Sequence, residues 1–321
     1  NSIQKESIIM IEKRILLQIS NTIIANLNNA DGIGFLYGKI GLALFMYRYS
    51  RFVNNQFYEN IADEIIDDIY NKMNDAIPRN YERGLAGIGC AMCRIIKEKY
   101  VEGDPSEILD VLDEQLLCDV KETLMEDMNA DYPIYSSGLY LLDRLSVEDV
   151  ADSQKEQWIF KVIDAVEAID LGQIKDDSSR ILLISSILFV LFKLSGFVAD
   201  KCRFYPLYDY LLECALQSIN RNRDVNIVLL KNVVSLLPED RITKELLVKV
   251  KSINFHMDVM NESLMFESEL NWYWLFNMPL SLSPLITKLD VLVDKLLLDI
   301  DFDLYMMNSK LAKIGTWVMK M

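Results

Sequence analysis

Gly38-Lys39-Ile40-Gly41-Leu42-Ala43-Leu44 and Gly84-Leu85-Ala86-Gly87-Ile88-Gly89-Cys90 decide the fold, because the second segment repeats the glycine pair of the first at an offset of 46 residues. A weaker copy follows at Ser136-Ser137-Gly138-Leu139-Tyr140-Leu141-Leu142, and a last echo at Leu311-Ala312-Lys313-Ile314-Gly315. Each opens an apolar stretch. A fixed period of this length marks a stacked-repeat architecture. Small residues at the head of a helix let neighbouring backbone approach closely.

Between these segments lie helices of another kind, charged on one face. Residues 57–73 place Ile61, Ile65, Ile66, Ile69 and Met73 at helical spacing, with Asp63, Glu64, Asp67 and Asp68 turned outward to water. Residues 106–124 repeat the pattern through Ile108, Leu112, Leu116, Val120 and Leu124, with Ser106 as the expected N-cap after Pro105. The alternation predicts one-faced helices over 6–27, 57–73, 106–124, 154–169, 206–219, 241–253 and 285–300. It predicts more fully buried helices over 38–51, 84–100, 136–146, 178–195, 225–237, 268–277 and 305–319. Glycine and proline, at 12 and 7, are too scarce to break these stretches. Apolar helices need cover on every side and amphipathic ones need one buried face, so two concentric rings satisfy both. The expected fold is therefore all-α, a single α/α toroid of about seven inner and seven outer helices over residues 1–321. An open solenoid is the competitor; it would need a polar terminal helix, and residues 310–321 are too apolar for that.

Composition removes several functions. With a net charge of −15 and no basic stripe, the chain is not built for nucleic acid or for docking on anionic membranes. Its longest uncharged apolar run, Ile181 to Phe192, is too short to span a bilayer, which needs about 20 residues. The cysteines (Cys90, Cys93, Cys118, Cys202 and Cys214) are odd in number and irregular in spacing, which favours a reducing cytoplasm over a disulfide framework. The chain begins at Asn1 rather than Met, so a preceding segment is open to trimming.

At its glycine segments the chain resembles the lanthionine synthetase C-like family, with the motif likeness concentrated in residues 32–145. The resemblance implies an α/α toroid of seven inner and seven outer helices. It also implies a zinc ion, held by two cysteines and a histidine at the heads of late inner helices, one ligand lying in a Cys-His-Gly motif. In the family that zinc activates a substrate cysteine thiol for addition to a dehydrated serine or threonine. This sequence has no Cys-His-Gly, its one histidine is His256, and no cysteine follows Cys214. The expected heads, Asn222-Arg223-Asp224-Val225 and Glu267-Ser268-Glu269-Leu270-Asn271-Trp272, carry no thiolate. No cofactor and no metal site is therefore expected, and no catalytic residue of the family is carried over to this chain. The expectation is a non-cyclising relative that binds a peptide or protein partner.

The candidate binding residues are Glu267, Glu269, Asn271, Trp272 and Trp274, joined by Tyr37, Asp131 and Tyr135 from loops expected to face the same mouth. Aromatics with a few polar groups make pockets for peptides or sugars; packed inward, the same aromatics would simply plug the barrel. Two further readings stay open: a toroidal carbohydrate-active hydrolase or lyase using carboxylates at that mouth, and a scaffold that binds a partner without catalysis. Cys90 and Cys93 form a C-x-x-C with no second ligand pair, and read as small buried core residues. His256 reads as structural.

Overall fold

A computed structural model describes residues 2–29, 32–74, 76–147, 150–174, 176–219, 225–238, 241–251, 259–276, 293 and 304–320. Among these the regular structure is entirely helical: fourteen α-helices and two short 3-10 turns. In chain order they are α1 (Ser2–Ala25), α2 (Lys39–Val53), α3 (Gln56–Lys72), α4 (Leu85–Lys97), α5 (Pro105–Leu117), α6 (Val120–Met128) and α7 (Ser136–Arg144). There follow α8 (Asp152–Glu167), α9 (Asp177–Leu194), α10 (Phe204–Ser218), α11 (Asn226–Val234), α12 (Arg241–Lys251), α13 (Val259–Phe276) and α14 (Leu304–Val318). The expected helix over 285–300 (residue 293 apart), His256 and the segment 222–224 lie outside the described residues.

The 46-residue repeat is physical. Lys39 and Ile40 open α2 by donating their N–H groups to the carbonyls of Gly32 and Ile33. Leu85 and Ala86 open α4 by donating to Pro78 and Arg79, the same pair of bonds displaced by the same offset. The first N–H groups of a helix have no partner inside it, and here the preceding loop supplies one. The third copy solves the problem differently. Ser136, at the start of α7, donates its N–H to the carboxylate of Asp127 at 2.8 Å, and its hydroxyl to the same carboxylate at 2.5 Å. Burial pushes the Asp127 carboxyl well above the ordinary range, against the two Ser136 bonds.

The alternation of buried and one-faced helices is present. α9 is apolar on every side and buried along Ile181–Leu191, as a helix without a polar face must be. α3 buries Tyr58, Ile61, Ile65 and Ile69 and leaves the opposite face to water.

Three details differ from the sequence reading. First, residues 106–124 form two helices, because Asp119 caps a new start by accepting the Glu122 N–H. Second, the cap of α5 is Asp104, which accepts from the Ser106 N–H. Pro105 takes the first helical position, where its missing N–H costs nothing. Third, α13 begins at Val259, well before residue 268.

The described helices gather into two compact units, Asn1–Ile77 with Glu82–Gly84 and Phe266–Met321, and Pro78–Tyr81 with Leu85–Met265. In the first, α2 packs on α3 and α14, and α14 on α1. Two groups on the buried helix α2 reach carboxylates on α3: the Tyr47 hydroxyl donates to Asp63 at 2.6 Å, and Lys39 pairs with Asp68. The acidic face stays at the surface, with Asp63 exposed and Asp68 part-buried, while these two carboxylates also serve groups of α2. In the second unit α4 packs on α7 and α5, and α9 on α10 and α11. There Tyr140 and Arg144 of α7 share Asp113 of α5, at 2.6 and 2.9 Å.

Candidate functional site

The first unit gathers four of the predicted residues around a fifth that the sequence reading passed over. Residues 32–38 form the loop that leads into α2. Its path depends on bare backbone at Gly38, where a side-chain carbon would fall 2.2 Å from the Gly34 carbonyl oxygen. Ser309 on α14 donates its hydroxyl to the Leu36 carbonyl and ties this loop to the helix. One face of α13 meets the loop through Glu267, Asn271 and Trp274, spaced so that all three share that face. Trp274 packs its ring 4.8 Å from Phe35.

Lys313 of α14 stands at the centre. It is 1% exposed. Its Nζ donates to Asn271 Oδ1 at 2.6 Å and sits 4.8 Å from the centre of the Tyr37 ring. The Asn271 amide also hydrogen-bonds the Tyr37 hydroxyl. Beside them Glu267 pairs with Lys310 at 2.8 Å. Loss of water is the largest influence on Lys313 and pulls its pKa down to about 7; Glu267 and Glu82 resist the change and Lys310 adds to it. Burial likewise leads in pushing the Tyr37 phenol up to about 12, reinforced by Glu267 and Glu82 and opposed by Asn271 and Arg83. Near neutral pH this amine is therefore shared between its charged and neutral forms while the phenol keeps its proton.

Tyr37, Glu267, Asn271 and Trp274 thus lie in one neighbourhood. Glu269 and Trp272 are buried on α13. Residues two apart on a helix point about 200° apart, so Glu267 and Glu269 lie on different faces of α13. Asp131 and Tyr135 belong to the second unit. Asp131 is exposed, while Tyr135 is fully buried and donates its hydroxyl to the Val162 carbonyl at 2.9 Å.

Lys313 left one trace in the sequence. Lys39-Ile40-Gly41 and Lys313-Ile314-Gly315 are the same tripeptide, and both lysines are buried. A lysine inside an otherwise apolar helical stretch is costly unless it has a partner, and that cost is the available signal.

Cys90 and Cys93 are buried free thiols, pushed up by burial first. Among the described residues no group of three or more His, Cys, Asp or Glu is placed to hold a metal, and no helix is long and apolar enough to cross a membrane. No family model, curated protein or solved structure matches the chain.

Proposed function

We propose that the chain is a non-cyclising relative of the lanthionine synthetase C-like proteins that binds a peptide, possessing the repeat architecture without the zinc chemistry. The observation that supports this reading is the buried Lys313 amine, held between Asn271 and Tyr37 at the glycine loop. A buried cationic group costs stability. In a binding site the cost is offset when the amine meets a carboxylate or a backbone carbonyl of the ligand. The alternating helices and the loop-opened repeats favour the α/α toroid as the complete arrangement. Free cysteines favour a reducing compartment such as the cytoplasm.

The test is a binding titration with a synthetic peptide carrying one cysteine and one dehydroalanine, run with wild type and with Lys313→Met, and with metal content measured on the same samples. Peptide binding by metal-stripped protein that weakens about tenfold or more in the variant supports the reading. Stoichiometric zinc with cyclised product overturns it.

A further inference from the structure

The break between α5 and α6 creates a feature of its own. Because α6 restarts at Val120, its Lys121, Leu124, Met125 and Met128 fall on one face, at helical spacing, against the end of α8. That end carries Ala165, Ala168 and Ile169, followed by Asp170. Two alanines where larger side chains would close the gap leave a cavity of about 190 Å³. Ligand pockets for drug-sized molecules start near 300 Å³, whereas a cavity of roughly 150 Å³ accepts benzene. The space therefore suits one branched aliphatic or thioether side chain.

Its mouth is not apolar. Lys121 and Asp170, both exposed, line the same cavity. Asp170 uses Oδ1 to accept the Gly172 N–H at 3.0 Å, which fixes the carboxylate and leaves Oδ2 for another donor. An apolar floor edged by one cation and one anion, neither in an ion pair among the described residues, is complementary to a zwitterion with an apolar side chain. We infer that this cavity binds a free apolar α-amino acid of leucine or methionine size: carboxylate to Lys121, ammonium to Asp170, side chain on the Leu124, Met128 and Ile169 floor. A peptide side chain would fill the floor and leave both charges unanswered. The inference is independent of the reading given for Lys313, which lies in the other unit.

The charges at the mouth are exposed, so the affinity is modest, with Kd on the order of 1 mM. The experiment is a chemical-shift titration of the full chain with L-leucine and L-methionine, and with N-acetyl-leucine amide as the uncharged control. The expected result is saturable shifts at residues lining the cavity with the free amino acids and at least a tenfold weaker response to the capped control. Asp170→Asn, which retains an acceptor for Gly172, and Lys121→Gln each weaken binding several-fold. Ala168→Trp, placed at an exposed position, abolishes it without loss of fold. No saturable shift up to about 10 mM, or equal binding of the capped control, overturns the inference.

Discussion

The Lys313 Nζ lies 2.6 Å from Asn271 Oδ1, inside the first unit and shielded from water. One neutral acceptor and the Tyr37 ring, with Glu267 and Glu82 nearby, compensate a buried ammonium only partly, because loss of water outweighs them. Replacement by an apolar side chain of similar length should therefore stabilise the protein. Lys313→Met is expected to raise stability at pH 7 by about 1–3 kcal/mol, read as a higher urea midpoint at unchanged slope.

The same lysine gives a pH dependence with a definite sign. Its folded pKa is about 7, against roughly 10.4 in an unfolded chain. Below pH 7 both states hold the proton and the full penalty is present. Between about 7 and 10 the unfolded state binds more protons, so stability rises with pH. Above about 10 Tyr37 reverses the trend, because its phenol is held up to about 12 in the fold and the unfolded chain ionises first. The stability gap between Lys313→Met and wild type should shrink steadily from pH 7 to about pH 9 in parallel urea titrations. A constant gap would mean that this amine does not titrate differently on folding.

Ser136 closes a buried chain in the second unit, accepting the Tyr81 N–H at 2.8 Å while donating to Asp127. Ser136→Ala strands a backbone donor and removes a bond to a buried acid. The expected cost is about 1–3 kcal/mol, checked by thermal or urea unfolding.

Arg144 is buried and depends on Asp113 of α5 for its charge partner. Asp113→Ala should cost about 1–3 kcal/mol, because it removes the carboxylate that the Arg144 guanidinium and the Tyr140 hydroxyl share. Asp113→Asn, retaining an acceptor, should cost less, and the ordering of the two in unfolding experiments is the check.

Gly89 faces Tyr140 closely enough that a side-chain carbon would fall 2.4 Å from the ring. The ring cannot swing away cheaply, since it is buried and its hydroxyl is held by Asp113. Gly89→Ala is expected to destabilise by about 1–3 kcal/mol despite the better helix propensity of alanine.

These sites show what the sequence made legible. Helix order and the alternation of buried with one-faced helices follow from apolar periodicity, and a covalent chain cannot hide that pattern. The glycine repeat was visible as spacing, and its cause, loop carbonyls capping α2 and α4, needed backbone geometry. The break at Asp119 was missed because a capping aspartate and a solvent-facing aspartate are the same letter in an amphipathic run. Tyr37, Glu267, Asn271 and Trp274 stood out by composition. Lys313 did not, because a lysine near a chain end reads as a solvated group until a neighbouring helix is known to cover it. Asp131 and Tyr135, expected at the same mouth, belong to the second unit, where Tyr135 donates its N–H to Ser186 and its hydroxyl to Val162, partners that no periodicity reveals.

The central claim is peptide recognition at the Lys313 cluster without zinc. Its most direct test is the affinity of one cysteine- and dehydroalanine-containing peptide for metal-stripped wild type and metal-stripped Lys313→Met, both verified as folded. The account predicts saturable binding by wild type and at least a tenfold loss in the variant, whose fold is the more stable of the two. Equal affinity for the two proteins, or binding and cyclisation that return only with added zinc, would contradict it.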